Sequence, residues 1–253
     1  PVDAGDPDAD TDDNDDNGVV MSGSNIRSNP VTLGPSGGEP TNDDDPIPGS
    51  GIGEAPDDYS NRTVDFGFVT AYSLGNRVWN DNGAGGGTAS DGIRNGNEPG
   101  INSVTVNLYR DTNNDGIPDG VAIDSTTTTS KAADDGYYRF DYLAAGNYIV
   151  EVVTPAGYTS SPVDGGDPDN DVDDDDNGVI VAATRVRSNP VTLGSLPLEP
   201  ITDDDPTPGS EAGEAADDHS HRTVDFGFIT AFSLGNRVWD DNGVGGGTAD
   251  DGI

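Results

Sequence analysis

The sequence lacks cysteine altogether, which excludes disulfide bonds and thiol chemistry. Other common catalytic residues are also scarce, because the 253 residues include only two histidines, His219 and His221, and one lysine, Lys131. Long apolar runs are missing too, and no segment approaches the roughly 20 residues that cross a membrane as a helix. We therefore predict that the chain is not an enzyme and that this segment does not insert into a membrane.

Positive charge is rare as well: 11 basic side chains stand against 48 acidic ones, and the formal net charge is −37. Such a chain repels the phosphates of nucleic acids, so no nucleic-acid partner is expected. The 36 glycines and 18 prolines are too many for a helical bundle or a coiled coil. The composition thus indicates a turn-rich, strongly acidic chain.

The acidic residues are nearly all aspartate, with 41 aspartates against 7 glutamates. Aspartate carries the short carboxylate that suits tight loops and sites for hard cations, and it forms helices poorly. This bias favours cation-binding loops. A salt-rich habitat also favours acidic surfaces, so high-salt adaptation is an alternative explanation.

Three motifs occur twice, 160 residues apart. They are SNPVTLG at 28–34 and 188–194, RTVDFGF at 62–68 and 222–228, and SLGNRVW at 73–79 and 233–239. A period of this length matches a whole domain. We predict that residues 1–70 are the C-terminal part of a preceding repeat, that 71–230 form one complete repeat, and that 231–253 carry the first strand and loop of the next. No flexible linker separates the repeats, which favours a stiff rod.

Within the repeat, apolar and polar residues alternate in several short stretches. The apolar positions are Val104, Val106 and Leu108; Tyr138 and Phe140; Tyr148, Val150 and Val152; and Val224, Phe226 and Phe228. A period of two with β-branched and aromatic residues, interrupted by Gly, Asn, Asp and Pro, predicts half-buried antiparallel strands. The predicted fold class is therefore all-β, with a sandwich in each repeat and long acidic loops.

Two segments resemble a known family. DDGYYRFDYLAAGNYIVEVVTPAGY, at 134–158, is similar to the D-x-x-G-x-Y-x-F-x-x-L-x-x-G-x-Y-x-V pattern of collagen-adhesin B-type domains. SLGNRVWNDN, followed by DGIRNGNEPGINSVTVNLYRDTNNDG, resembles the opening of the B-repeat domains of serine–aspartate-repeat surface adhesins. The resemblance implies tandem Ig-like or prealbumin-like antiparallel β-sandwiches that are extracellular, often loaded with calcium, and used as a stalk or spacer.

The strongest chemical motif is DTNNDGIPD, at 111–119. Its candidate ligands are the side chains of Asp111, Asn113, Asp115 and Asp119 and the carbonyl of Ile117. They have the spacing of an EF-hand-type calcium loop, with Gly116 at the sharp turn. The twelfth position is Ala122 instead of a bidentate glutamate, so we expect water or another acidic loop to supply the missing ligand. A solvated Asn/Asp turn is the alternative.

Two further acidic stretches have ligand-like spacing. One comprises Asp81, Asp91, Asn95 and Glu98, although a glycine-rich stretch at 83–90 interrupts it. The other comprises Asp167, Asp169, Asp171, Asp173 and Asp175, and a similar stretch lies at 6–18. Close carboxylates repel each other by roughly a few kcal/mol per pair at moderate dielectric. We therefore predict that Ca²⁺ is the cofactor that allows these loops to fold, with a solvated, disordered block of charge as the alternative.

Together these features predict a non-enzymatic structural repeat of a long extracellular surface adhesin, stalk or filament, rigidified by calcium. Its predicted partners are neighbouring repeats of the same chain and, in a filament, identical chains. Its predicted location is the cell surface or a secreted filament. The alternative function is an adhesive module that recognises a host protein or glycan through 159–230 or through an exposed edge strand.

Overall fold

The computed structural model of the protein describes residues 16–22, 25–34, 55, 59–131, 134–162, 166–170, 172–194, 199–200 and 213–252. Its strands are β1 (Val19–Ser22), β2 (Asn25–Arg27), β3 (Tyr72–Asn80), β4 (Thr105–Arg110), β5 (Asp124–Thr127), β6 (Thr129–Lys131), β7 (Asp134–Leu143), β8 (Gly146–Val153), β9 (Tyr158–Ser160), β10 (Val179–Ala182), β11 (Arg185–Arg187), β12 (Val191–Leu193), β13 (Ser220–His221) and β14 (Phe226–Thr230). Short 3₁₀ turns lie at Ala84–Gly86 and Asp217–His219.

One sheet has the strand order β10-β11-β8-β4-β5, and β12 pairs with the other end of β8. All of its pairs are antiparallel. The central pair, β4 with β8, aligns Val106 with Val152 and Leu108 with Val150. These four residues are fully buried, because alternation along both strands turns them to the same face.

The second sheet has the order β6-β7-β3-β14-β9, with β13 also pairing with β3. Both β13 and β14 run parallel to β3, whereas the other pairs are antiparallel. Two stacked, mainly antiparallel sheets confirm the predicted β-sandwich fold. The parallel pairs arise because β13 and β14 return to β3 from far along the chain.

The core lies between the two sheets. Its buried residues are Leu74, Val78, Val104, Val106, Leu108, Tyr138, Phe140, Leu143, Tyr148, Val150, Val152, Val186, Val191, Leu193, Val224, Phe226 and Phe228. They include every apolar position that the sequence predicted from alternation. Removal of this apolar surface from water is the main contribution to the stability of the sandwich.

Several local contacts occur in two copies. The amide of Asn177 donates to the carbonyl of Asp225 at 3.0 Å, and the amide of Asn17 donates to that of Asp65 at 3.0 Å. The hairpins β1–β2 and β10–β11 likewise have equivalent registers, each with an irregularity at the same position. These equivalent segments therefore form the same local contacts at both places.

The segment 231–252 has no strand and is almost entirely exposed. Leu234 is 105% exposed and Trp239 is 57% exposed, whereas the equivalent residues of β3, Leu74 and Trp79, are fully buried. Burial of the SLGNRVW motif thus depends on the sheet around it. Among the described residues, no helix is long and apolar enough to cross a membrane.

Candidate metal centres in the acidic loops

The loop 111–119 follows β4, and its path is fixed by Asp111. This side chain is fully buried, and its carboxylate accepts the amides of Asp115 at 3.1 Å and Gly116 at 2.9 Å. Gly116 has a φ of 76°, in the left-handed region that suits glycine. The sharp turn predicted at this position is therefore present.

The other predicted ligands of this loop are exposed. The Asn113 amide donates to Asp115 at 2.9 Å, and Asp115 accepts the amide of Ile117 at 2.9 Å. Asp119 accepts the amide of Thr112 at 2.7 Å and also its hydroxyl. These last hydrogen bonds lower the pKa of Asp119. The side-chain oxygens are thus gathered on one loop, but they bind the loop's own donors.

A second acidic segment, residues 166–170, lies beside the loop 111–119. They share an open cavity of about 370 Å³, whose lining residues are Asn114, Asp167, Asp169, Asn189, Pro190 and Thr192. Asp169 accepts the amide of Thr192 at 2.9 Å and lies 3.4 Å from Nε2 of the buried His221. Burial would raise the pKa of Asp169, but His221 and Thr192 outweigh it and lower the value. The structure therefore brings Asn114 of this loop, which is not itself a predicted ligand, beside two predicted ligands of the third acidic stretch, Asp167 and Asp169.

The predicted site at 81–98 is a compact, partly buried loop. Asp81 is 1% exposed and accepts the amides of Ser90 at 2.6 Å and Gly92 at 2.9 Å. It also accepts the hydroxyl of Ser161, which lies beside β9. Asp81 thus joins the loop to the body of the sandwich.

Glu98 closes the same loop from its other end. It is 3% exposed and accepts the amides of Gly83 at 2.6 Å and Asn95 at 3.1 Å. The amide group of Asn95 donates to Asp91 at 3.0 Å. Burial raises the pKa of Glu98, and the charges of Asp81 and Asp91 act in the same direction. The four predicted side chains, Asp81, Asp91, Asn95 and Glu98, are therefore neighbours despite the glycine-rich interruption.

This loop also pairs with the C-terminal half of the third acidic stretch. Ile93 forms an antiparallel bridge with Asp175, and the amide of Asp176 donates to the carbonyl of Gly92 at 2.9 Å. Asp175 is 8% exposed and accepts the side-chain amide of Asn177 at 2.9 Å. Acidic segments about 80 residues apart in the chain thus meet at one end of the sandwich.

Arg94 contacts two acidic segments at this end of the sandwich. The amide of Arg94 donates to the carbonyl of Asp174 at 2.7 Å, and its guanidinium contacts the carboxylate of Asp174 at 3.3 Å. The same guanidinium forms an ion pair with Asp134 at the start of β7. Arg94 therefore compensates part of the negative charge where three segments converge.

Asp176 is a buried carboxylate that the sequence prediction missed. It is fully buried; one oxygen accepts the amide of Gly178 at 2.9 Å, and Oδ2 has no hydrogen-bond partner among the described residues. Burial raises the pKa of Asp176 to about 8, and the nearby Asp175 and Asp81 contribute to the increase. The ligands predicted in the Asp-rich run are alternate residues with odd numbers, so Asp176 is not among them.

Asp225 is the other carboxylate that the prediction missed. It is fully buried, and together with Asp173 it accepts the side-chain amide of Asn76, at 3.1 Å and 2.6 Å. It also accepts the backbone amide of Arg77 at 3.0 Å. A sequence signal did exist, because an aspartate recurs in the middle of the apolar strand motif RTVDFGF.

The described residues do not contain a group of three or more carboxylate or imidazole side chains arranged to hold one metal ion. Asp171, one of the predicted ligands, lies outside the described residues. In the part of the chain that the structure describes, the carboxylates of the other predicted ligands instead accept hydrogen bonds from backbone amides and neighbouring side chains. Assignment of Ca²⁺ to these loops stays a prediction.

Comparison with known protein families gives a match over the first strands of the sandwich. Residues 72–193 match the SdrD B-like domain. The matched range contains β3 to β12 and all three predicted acidic sites, and the strands β13 and β14 lie beyond it.

Curated relatives match over stretches of similar length. The chain is 36% identical over 139 residues to the serine-aspartate repeat-containing protein F of Staphylococcus epidermidis, which covers 54% of this chain and 7% of that protein. It is 41% identical over 124 residues to a fibrinogen-binding protein of the same species, and this match covers 48% of this chain and 10% of that protein. It is 34% identical over 139 residues to the serine-aspartate repeat-containing protein D of Staphylococcus aureus strain Newman. This match covers 54% of this chain and 9% of that protein. The chain therefore spans a tenth or less of the length of these relatives.

Among solved structures, the full-length major pilin SpaD from Corynebacterium diphtheriae is similar with a TM-score of 0.31 and 14% identity. The similarity covers 66% of this chain and 34% of the pilin. A TM-score of this size does not establish a shared fold.

Proposed function

Because residues 72–193 of this chain belong to the SdrD B-like domain family, we propose that the chain is a structural segment of a long extracellular surface adhesin, and that calcium stiffens it. The domain is a non-enzymatic component of surface adhesins, in agreement with the sequence prediction. The proposal places the protein at the cell surface, with its neighbouring repeats as its first partners.

The observation that carries the calcium part of the proposal is the meeting of acidic segments that are distant in sequence. Asp81, Glu98, Asp175 and Asp176 are all at most 8% exposed and belong to two loops joined by the Ile93–Asp175 bridge. Buried carboxylates this close cost free energy unless positive charge compensates them. Arg94 supplies one such charge, and a hard cation with oxygen ligands would supply more.

The loop 111–119 supports the same proposal at a second place. It has carboxylate and amide oxygens at EF-hand spacing and lacks the twelfth ligand, while Asp167 and Asp169 line the cavity beside it. A cation bound there would take its remaining ligand from the neighbouring acidic segment. It would thereby cross-link two loops of a chain that has no disulfide.

Rigidity follows from the position of these loops. The acidic loops at 81–98 and before β10 connect strands of different sheets, whereas 111–119 joins β4 and β5 within one sheet. An ion held between the first two loops would restrict the movement of one sheet relative to the other. Binding that occurs only in the folded state raises stability by RT ln(1 + [L]/Kd), which is about 2.7 kcal/mol at a hundredfold excess over Kd. A calcium-loaded segment would then resist unfolding and transmit force along a stalk.

The test is thermal unfolding of the 253-residue chain with calcium and with chelator at matched ionic strength. We expect calcium to raise the midpoint by several degrees more than an equal ionic strength of sodium chloride. Asp115→Asn removes a predicted ligand with little change in volume and should reduce the calcium effect. Asp124→Asn, an exposed aspartate outside the loops, is the matched control and should leave the effect unchanged.

An equal midpoint in calcium and chelator would overturn the calcium part of the proposal. The exposed carboxylates of the acidic loops would then be solvated surface charge, and the alternative function, recognition of a host protein or glycan, would become the better interpretation. The family membership of residues 72–193 does not depend on this outcome.

A further inference from the structure

His221 is a histidine buried inside the sandwich. It ends β13, where it pairs with Leu74 of β3, and it is 1% exposed. Neither Nδ1 nor Nε2 of its ring has a hydrogen-bond partner among the described residues. A buried polar group in this state costs free energy, and an ion or a water molecule at the site is a common explanation.

The histidine is a difference between two copies of an otherwise identical stretch. DDHSHRTVDFGF at 217–228 corresponds to DDYSNRTVDFGF at 57–68, so Tyr59 and Asn61 stand in place of the two histidines. The side-chain oxygen of Asn61 accepts the amide of Thr63 at 3.3 Å, which is a local hydrogen bond. Asparagine at this position is therefore compatible with the motif, and the strand does not need an imidazole for its own folding.

The carboxylate of Asp169 faces the imidazole of His221. Its Oδ1 lies 3.4 Å from Nε2 of His221. Zinc binds histidine nitrogen and carboxylate oxygen at about 2.0–2.2 Å in tetrahedral geometry, so two of its ligands lie about 3.4 Å apart. Asp169 also lines the open cavity of about 370 Å³ together with Asp167, which gives an ion a route to the pair and gives water room to bind. The spacing and the access therefore fit a tetrahedral metal ion.

The charge around the pair is negative. Glu199 is 5% exposed, and its Oε1 accepts the amide of Gly194 at 2.7 Å. Burial raises the pKa of Glu199, and the charges of His221 and Asp169 also act on it, so this carboxylate lies close to both. Asp167 adds a third carboxylate at the cavity. A divalent cation between Asp169 and His221 would compensate this charge.

We propose that His221 and Asp169 bind a divalent transition metal of the zinc class. Imidazole nitrogen suits Zn²⁺, whereas Ca²⁺ takes oxygen ligands. The two side chains are the protein ligands in place, and water from the cavity completes the coordination. The inference does not rest on the calcium proposal, although Asp169 is also one of the predicted calcium ligands.

A metal at this position would connect the two sheets. His221 belongs to β13, which pairs with β3 in the second sheet. The carboxylate of Asp169 accepts the amide of Thr192 at 2.9 Å, and Thr192 belongs to β12, which pairs with β8 in the first sheet. The metal would therefore fix the acidic segment 166–170 between the sheets, in a chain that has no disulfide to do so.

Zinc titration of the 253-residue chain by calorimetry tests the proposal, with calcium present in excess so that oxygen-only sites are filled. We expect one zinc ion to bind per chain at this site. His221→Asn should weaken zinc binding by about tenfold or more, because the metal loses its imidazole ligand. Asp169→Asn should weaken it as well. The other copy of the motif has asparagine at the position of His221, and circular dichroism checks that both variants are folded.

The matched control is His219→Tyr, which also takes its replacement from the other copy. His219 is the second imidazole beside a carboxylate, since its Nδ1 lies 2.7 Å from Asp218, but its side chain is 35% exposed. We expect this variant to bind zinc as the wild type does. Absence of zinc binding in the wild type, unchanged affinity in His221→Asn, or an equal loss in His219→Tyr overturns the proposal.

NMR of the imidazole nitrogens gives a second measurement, because the chain contains only two histidines. Zinc should shift the Nε2 signal of His221 and leave the signals of His219 in place, whereas a shift of His219 alone contradicts the assignment. The calcium-dependent rise of the unfolding midpoint should persist in His221→Asn. Failure of the zinc site and failure of the calcium proposal are therefore separate results.

Discussion

At the scale of single residues, Glu151 shows how this acidic chain accommodates a buried charge. Glu151 lies in the middle of β8 and is fully buried. Arg185 and Arg187 on the neighbouring strand form ion pairs with it, and the Tyr109 hydroxyl donates to it at 3.2 Å. Burial would raise the pKa of Glu151, but the hydrogen bonds from Arg187 and Arg185 outweigh it and lower the value.

Replacement of Glu151 by glutamine should destabilise the protein by about 2 kcal/mol at pH 7, because two guanidinium groups lose their charged acceptor. A carboxylate with a lowered folded-state pKa stabilises above its unfolded value and loses that contribution as the pH falls through the folded value. The difference between wild type and Glu151→Gln should therefore shrink below about pH 4. Urea denaturation across the acidic range checks this, with Asp124→Asn as control. A difference that grows with acidity would contradict the assignment.

At the scale of strands, the two copies of SLGNRVW provide a comparison within one chain. In β3 the motif pairs with β7 on one side and with β13 and β14 on the other. A Cβ atom on Gly75 would lie 2.2 Å from the carbonyl oxygen of Tyr138. The equivalent Gly235 has no atom within 4 Å of such a Cβ. Close approach of β7 is therefore the structural reason for glycine in this motif.

Gly75→Ala should cost about 3 kcal/mol or more, since backbone atoms cannot move aside as a side chain does. Gly235→Ala should change stability by less than about 1 kcal/mol, because the position is open. Circular dichroism with urea denaturation of both variants measures the two effects. Equal destabilisation by both substitutions would mean that the second copy of the motif is also packed against a neighbouring strand.

At the scale of the whole molecule, the described chain combines a closed sandwich with exposed flanking copies of its motifs. Phe226 and Phe228 are fully buried, whereas their equivalents Phe66 and Phe68 are 44% and 75% exposed. The same contrast holds for arginine, since Arg77 is 5% exposed and Arg237 is exposed. Accessibility to a protease should therefore differ between two identical motifs.

Trypsin should cut the native chain after Arg237 much faster than after Arg77, because cleavage within β3 requires the sandwich to open. Mass spectrometry of a digestion time course identifies the order of the cuts. Both sites have the same preceding sequence, so each is the control of the other. Cleavage after Arg77 at a similar rate would indicate that β3 is not held in the folded sandwich.

The sequence by itself determined the all-β class, the apolar positions of the core and the resemblance to the family whose model matches residues 72–193. These depend on local patterns: the alternation along β4, β7 and β8, and the spacing of glycine and aromatic residues in 134–158. A period of two specifies which side chains share a face whatever the partner strand is. The turn at Gly116 was predictable for the same reason.

Only the tertiary structure decided which acidic segments meet. The parallel pairing of β14 with β3, the bridge from Ile93 to Asp175, and the burial of Asp176 and Asp225 join residues far apart in the chain. No local pattern encodes such contacts, because they depend on the order of strands in each sheet. The free energy of a buried carboxylate depends on these distant neighbours. The sequence therefore predicted most of the acidic residues that meet at the end of the sandwich, but not which groups surround them.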